Sequence, residues 1–225
     1  VTEPPALQRL VEAVEALALA DDPAVRVLPD LPAVMAEMER IETRTRHSVW
    51  SMQRDLPLSA IRLARDLDER SGAKGLAERT IVSSARARSQ PLLTTVAPDL
   101  RVGPVARPVL VADGRDVVLG SERAGDAGAP WAWSSADPGV AALAVAAFTE
   151  AWDTARRWED AGLRPPLTRR RYEIALGMAD GLTDREIADA VAVSPRTVAA
   201  EVREVVRWLG ARNRSHAIAV LVGAS

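Results

Sequence analysis

LTRRRYEIALGMADGLTDREIADAVAVSPRTVAAEVREVVRWL, residues 167–209, decides how the rest of the chain is read. Three short helices can be marked in it. Thr168 is placed to N-cap the first, in which Tyr172, Ala175, Leu176 and Ala179 make the inner face and Gly181 supplies the C-terminal stop. Thr183-Asp184-Arg185-Glu186 opens the second as a capping box, the Thr hydroxyl and the Glu carboxylate each reaching the other's backbone N–H. Ile187, Ala188 and Val191 then turn inward. Ser194-Pro195 restarts the chain after only a few residues, Ser as N-cap and Pro at the first helical position, where no N–H partner is needed. In the third helix Val198, Val202, Val205, Val206 and Leu209 share one apolar face. Three helices of this size around one small core make a helix-turn-helix.

The opposite face of the third helix carries Arg196, Ala200, Arg203 and Arg207 at i, i+4, i+7 and i+11. A stripe of guanidinium groups pointing away from the core is what a helix in a DNA major groove needs, for phosphates and for guanine edges. The competing reading is an Arg-rich solvated face with Glu204 nearby. A fourth helix from Asn213, with Ala217, Ile218 and Leu221 inward, closes the module and can support dimerisation.

Composition bounds the rest. The 225 residues leave room for one large domain or two modest ones. There is no cysteine, which excludes disulfides, thiolate metal sites and cysteine nucleophiles, and only His47 and His216 could supply imidazole. No metal and no cofactor is expected. No stretch is apolar and uncharged over about 18 residues, the length a membrane span needs, so a cytoplasmic chain with no membrane partner is the default expectation. Charge is uneven. Residues 163–225 hold ten Arg against seven Asp and Glu, net +3, which leaves 19 basic and 24 acidic residues on 1–162, net −5. A mildly cationic module sits on an acidic body.

Upstream, Leu7, Leu10, Val11, Val14 and Leu17 fall at helical spacing over 4–20, and 24–30 (AVRVLPD) reads as a short strand. Residues 32–46 form a second helix whose narrow seam, Val34, Met38 and Ile41, either pairs with its own copy or packs on the next domain. From 48 to 135 short apolar runs alternate with turns. Strands are expected near 49–52, 80–83, 100–103 and 131–134, with a surface helix over 58–70 carrying Ile61, Ala64 and Leu67 inward. In PVLVADGRDVVLG, 108–120, Asp113-Gly114 between β-branched runs marks a hairpin, because a primed turn needs positive φ. A long helix is expected over 138–161, continued by Trp152 and Trp158. GLRPP, 162–166, then ends it as a stiff linker. The fold class is α+β: an N-terminal helical segment (1–47), an α/β domain with helices on a mixed sheet (48–161), and an all-α four-helix module (163–225).

The hairpin resembles a degenerate phospholipase D-like half-domain. That family's H-x-K-x4-D, followed by six residues and Gly-Ser, aligns with Asp113 and Gly120-Ser121. Ala106 then stands where the family has its nucleophilic His, and Pro108 where it has its phosphate-binding Lys. Without a nucleophile the covalent route is closed, so no enzyme is expected. The plainer reading of Asp113 is a turn residue. With a helix-turn-helix downstream, the architecture is similar to the TrmB family, and residues 1–31 look like a clipped winged helix. Arg86, Arg88, Arg101 and Arg107 either line an anion pocket near the lost phosphate site or form a solvated face.

The strongest resemblance lies in GLTDREIADAVAVSPRTVAAEVREVVRWLGARNRSHAIA, 181–219. It resembles the DNA-binding domain of LuxR-type regulators, roughly G-L-S-N-K-E-I-A, then S-P-R-T-V-K, then L-G-V-R-N-R. The resemblance implies a four-helix fold and a DNA-binding transcriptional regulator. It assigns DNA contacts to Thr183, Ser194, Arg196, Thr197, Ala199, Ala200, Arg203, Arg207 and Arg214. Three positions depart from the pattern. The family commonly has Glu at Arg171, Lys at Ala199 and His or a similar polar residue at Glu201. Ala199 removes a backbone-directed cation, and a carboxylate at 201 would repel phosphate on reaching one. A receiver domain is disfavoured by the single lysine, Lys74, and an acyl-homoserine-lactone domain by the 4% aromatic content. The partners expected are double-stranded DNA, a second copy in a homodimer, and a small-molecule or protein signal at the middle domain. The alternative is an interaction protein that does not bind DNA and uses the helix-turn-helix as a protein or self-association surface.

Overall fold

A hairpin buried on both faces sets the architecture. The computed structural model describes residues 4–223; residues 1–3 and 224–225, the outer ends of the first and last expected segments, lie outside the described residues. In chain order the elements are α1 (Pro5–Leu19), β1 (Val25–Leu28), α2 (Leu31–Arg44), β2 (Ser48–Gln53), α3 (Leu58–Lys74), β3 (Ala77–Ser83), α4 (Leu93–Val96), β4 (Leu100–Gly103), β5 (Val109–Ala112), β6 (Asp116–Gly120), β7 (Ala132–Ser135), α5 (Pro138–Thr154), β8 (Arg156–Arg157), α6 (Arg169–Ala179), α7 (Asp184–Ala190), α8 (Pro195–Trp208) and α9 (Arg214–Val222). The chain is α+β.

Eight strands form one sheet in the order β1-β7-β6-β5-β2-β3-β4-β8. The β2–β3 and β3–β4 pairs are parallel and the rest antiparallel, as expected of a mixed sheet. The hairpin sits at its centre, and alternate residues face opposite sides. Val109, Val111, Val117 and Leu119 join the core under α1 and α5, whereas Leu110, Ala112 and Val118 join the core under α2. Asp113 and Gly114 both have positive φ, 52° and 62°, which is the primed turn the Asp-Gly pair predicts.

One expectation is corrected, the extent of the long helix, and the structure adds the packing of the two N-terminal helices. The N-terminal segment packs on the sheet: β1 pairs antiparallel with β7, and Leu7, Leu10, Val11 and Val14 of α1 pack with Phe148 of α5. The seam of α2 is consumed within the chain, since Val34, Met38 and Ile41 pack against Leu28, Leu110 and Val118. Beneath that seam Glu37, only 3% exposed, accepts from Ser134 Oγ at 2.9 Å, Arg26 Nη1 at 2.9 Å and Arg40 Nε at 2.8 Å. Burial pushes its carboxyl up, but the Arg40 and Ser134 hydrogen bonds with the Arg40 and Arg26 charges hold it below the usual glutamate value. Finally, α5 stops at Thr154 rather than near 161. The chain turns extended so that Arg156 and Arg157 pair with β4, and Ala155 lies so close to Gly103 that a Cβ there would meet it at 3.1 Å. Trp158 leaves the helix and packs with the Val82, Leu93 and Leu100 cluster.

The four-helix module does not float on its linker. Leu58 and Ile61 of α3 and Leu92 share one buried cluster with Leu167, Ile174, Met178 and Val198. Arg62 pairs with Asp180, and Arg65 Nη2 lies 3.1 Å from Glu173. Thr94 Oγ1 donates to the Arg164 carbonyl at 2.8 Å and Leu167 N–H to Thr95 Oγ1 at 2.9 Å, which pins both ends of the Pro165-Pro166 linker. Among the described residues no helix is long and apolar enough to cross a membrane.

Candidate nucleic-acid interface

Short-range capping builds the module, and each cap the sequence marks is present. Thr168 Oγ1 accepts from Arg171 N at 3.4 Å. The capping box of α7 closes both ways: Thr183 N–H donates to Glu186 Oε2 at 2.7 Å, and Glu186 N–H to Thr183 Oγ1 at 3.3 Å. Thr183 thereby holds the Glu186 carboxyl below its usual value. Ser194 Oγ accepts from Thr197 N at 3.1 Å and lies 2.8 Å from Thr197 Oγ1, while Asn213 Oδ1 caps α9 from His216 N at 2.9 Å. The link between α7 and α8 is short, with Ala192 at φ +54°. A Cβ on Gly177 would meet Ile187 Cγ1 at 2.9 Å, so glycine lets α6 approach α7.

Inside, Val198, Val202 and Val205 of α8, with Leu209 just past its end, pack on Ile187, Ala217 and Leu221. The buried face of α6 is wider than the expected one. Ala175 and Leu176 are buried as expected and Ile174 and Met178 are buried with them, while Tyr172 and Ala179 are half-buried, because α6 packs against α8 and α9 and also meets Leu58 and Ile61 of α3.

Outside, Arg196, Ala200, Arg203 and Arg207 are all exposed on α8, and the α3 seat leaves this face open. Arg196 and Arg203 make no hydrogen bond or ion pair among the described residues, with Ala200 between them. Arg207 Nη1 is paired with Glu204 Oε1 at 2.6 Å. Arg214 is turned inward on the module: it pairs with Asp184 and donates from Nη2 to the Leu182 carbonyl at 2.6 Å, tying α9 to the start of α7. Ala199 is half-buried beside the core face.

Two residues that the sequence marks as separate departures are partners. Arg171 Nε on α6 lies 2.7 Å from Glu201 Oε2 on α8, and Arg170 Nη1 lies 4.0 Å from Glu201 Oε1. The Glu201 hydrogen bond in turn raises the Arg171 guanidinium above its ordinary value. The charge at 201 is therefore neutralised within the module. Arg164, not marked in the sequence, caps the other end of α8: Nε donates to Trp208 O at 3.0 Å and Nη2 to Leu209 O at 2.9 Å. A cation at a helix C-terminus meets the negative end of the dipole and its unpaired carbonyls.

In the sheet domain the four arginines do not converge. Arg107 is buried between Glu15, at 3.2 Å, and Glu122, at 3.7 Å. Arg101 stacks on Trp152, 4.2 Å from the ring centroid, and donates to its carbonyl at 2.7 Å. Arg86 and Arg88 are exposed and border two other recesses. The phospholipase D-like positions have structural work instead. Asp113 Oδ1 accepts from the His47 and Ser48 N–H groups and Oδ2 from Arg46 N–H, each at 2.8 Å. Gly120 faces the Pro108 ring, where a Cβ would meet it at 3.0 Å.

An exposed, arginine-bearing second helix after a short turn, backed by a compact core, defines a helix-turn-helix module. Residues 165–221 match the family of bacterial regulatory proteins, luxR family, so this part of the chain is a LuxR-type helix-turn-helix domain. No curated protein matches the chain by sequence. Among solved structures, TrmBL2, described as an archaeal chromatin protein with a novel mode of DNA binding, aligns with a TM-score of 0.44 at 16% identity over 67% of this chain. The chain spans 62% of the length of that protein. NucT from Helicobacter pylori aligns with a TM-score of 0.43 at 14% identity, over 59% of this chain and 96% of its own.

Proposed function

We propose that the chain is a DNA-binding transcriptional regulator that seats α8 in the major groove as a homodimer. The observation that carries this reading is the pair Arg196 and Arg203: exposed, without partners among the described residues, and separated by Ala200, whose small side chain lets the helix approach base edges. The Thr183 and Ser194 caps lie at the starts of α7 and α8, where N–H groups and the positive end of the helix dipole favour phosphate. Glu201 does not oppose this, because Arg171 and Arg170 offset it. Val222, 47% exposed at the end of α9, and half-buried Ile218 offer an apolar surface for a second copy.

The sheet domain is read as the part that receives a signal or supports the dimer, not as a hydrolase. Ala106 and Pro108 stand at the positions a phosphodiesterase needs for nucleophile and cation. The test is in vitro selection of bound duplexes by the purified chain, read at two salt concentrations. Selected sites with a repeated half-site, bound more tightly at low salt, support the reading. Absence of any duplex binding at low salt sinks it, and a protein partner mapping to α8 would then favour the interaction-surface alternative.

A further inference from the structure

Behind α3, between its inner face and the sheet, lies a cavity of about 170 Å3. Its walls are largely apolar: Ile41 from α2, Leu67 from α3, and Val49 and Leu110 from the sheet. That volume is close to the roughly 150 Å3 of apolar cavities that hold a benzene-sized ring.

The cavity is not neutral. Asp68 from α3 and Glu78 from β3 both line it, and neither carboxylate has a hydrogen bond or ion pair among the described residues. The cations next to them on α3 are committed elsewhere: Arg70 Nε lies 3.2 Å from Glu42 Oε2 and Lys74 Nζ 2.6 Å from Glu42 Oε1. Glu42 itself lines the cavity at 8% exposure, and its Oε1 completes no aligned hydrogen bond, only the ion-pair contact with Lys74. Three carboxylates thus meet two cations. Asp68 experiences desolvation first and the like charge of Glu78 second, which push its carboxyl up to about 6. Asp68 and Glu78 are both exposed at the mouth of the cavity, where a ligand can reach them.

An apolar hollow with uncompensated carboxylates selects a cation that carries an apolar body. We propose that this cavity binds a small organic ammonium compound, its apolar part among Ile41, Leu67 and Leu110 and its ammonium between Asp68 and Glu78. An anion is repelled by the same pair, a neutral ring leaves both charges uncompensated, and an inorganic cation leaves the apolar walls uncovered. Leu56, Ile61 and Val96 line the cavity and also pack against the helix-turn-helix core, so the occupant lies one side chain from the seat of that module. The proposal does not rest on DNA binding.

The test is titration calorimetry of the full chain with benzylammonium, benzyl alcohol and benzoate at pH 7.5. Benzylammonium is expected to bind at least tenfold more tightly than benzyl alcohol, with no binding of benzoate. Asp68→Asn with Glu78→Gln is expected to bring amine and alcohol within twofold of each other, and Ala64→Leu, which fills the α3 wall, to abolish both. The two carboxylates are exposed, so their replacement keeps the fold, which circular dichroism checks. Methyl shifts on amine binding are expected at Ile41, Leu67 and Leu110. Equal binding of amine and alcohol, no binding at all, shifts confined to other methyls, or an amine preference that survives the double variant would overturn the site.

Discussion

Arg171 on α6 and Glu201 on α8 form an ion pair of 2.7 Å that crosses the helix-turn-helix module beside its outward face. The pair explains how α8 carries a carboxylate on its flank without presenting a bare negative charge, and it also withholds one cation from any polyanion. Glu201→Ala is expected to release Arg171 and Arg170 and to raise duplex affinity, steepening the salt slope by about 0.9 for each further phosphate neutralised. The stability lost should be under about 1 kcal/mol, as for other partly exposed pairs. Fluorescence anisotropy across a salt series checks the affinity and the slope, and urea denaturation the stability; weaker binding by Glu201→Ala would contradict the account.

Arg203→Ala and Arg196→Ala should both weaken duplex binding, and the salt series separates their roles. Loss of a phosphate contact flattens the slope by about 0.9 and lowers affinity for all sequences alike. Loss of a base contact leaves the slope nearly unchanged and relaxes one base-pair position by about 1–3 kcal/mol. Arg214→Ala should instead lower the melting midpoint of the module, because its guanidinium is bonded to Asp184 and Leu182 O.

Ala192 holds the tight turn before α8 in the left-handed region, at φ +54°, and is exposed. An L-residue there carries strain of about 1–2 kcal/mol. Glycine relieves that strain but has more unfolded freedom to lose, about 0.4–1 kcal/mol. Ala192→Gly should therefore stabilise the chain by about 0.5–1 kcal/mol. A rise in the urea midpoint at unchanged m-value is the expected readout.

Asp113 clamps three successive N–H groups at the α2–β2 junction. Burial pushes its carboxyl up, but the Ser48, Arg46 and His47 backbone donors outweigh it and hold it below 3.8. A depressed acid stabilises the fold above its unfolded value and loses that contribution as pH falls through the folded one. Asp113→Ala should destabilise by about 1–3 kcal/mol near neutral pH, and the gap to the parent should close on acidification below about pH 3.8.

Asp68 behaves in the opposite sense. Its carboxyl is raised from 3.8 to about 6, so the folded state holds the proton more tightly and stability falls as pH climbs through that window. Asp68→Asn should raise the melting midpoint at pH 7, and the difference should shrink as pH falls through about 6 and vanish only below about 3.8, where the folded and the unfolded parent are both protonated. A midpoint gain that persists unchanged below about pH 3.8 would contradict this sign.

The chain by itself determined the features that rest on neighbours a few residues apart. The capping box at Thr183, the Ser194-Pro195 restart, the apolar face of α8 and the primed turn at Asp113-Gly114 each need only local backbone geometry and a side chain within reach. Tertiary structure decided what depends on distant segments. Whether the α2 seam meets a second copy or the sheet, where α5 stops, and that residues 25–28 pair with 132–135 are outcomes of competition for the same apolar and hydrogen-bonding surface. The partners of charged side chains belong to this second group as well. A guanidinium stem is long and flexible, so only the assembled fold could show that Arg171 serves Glu201 and Arg214 serves Asp184, while Arg196 and Arg203 stay open to solvent.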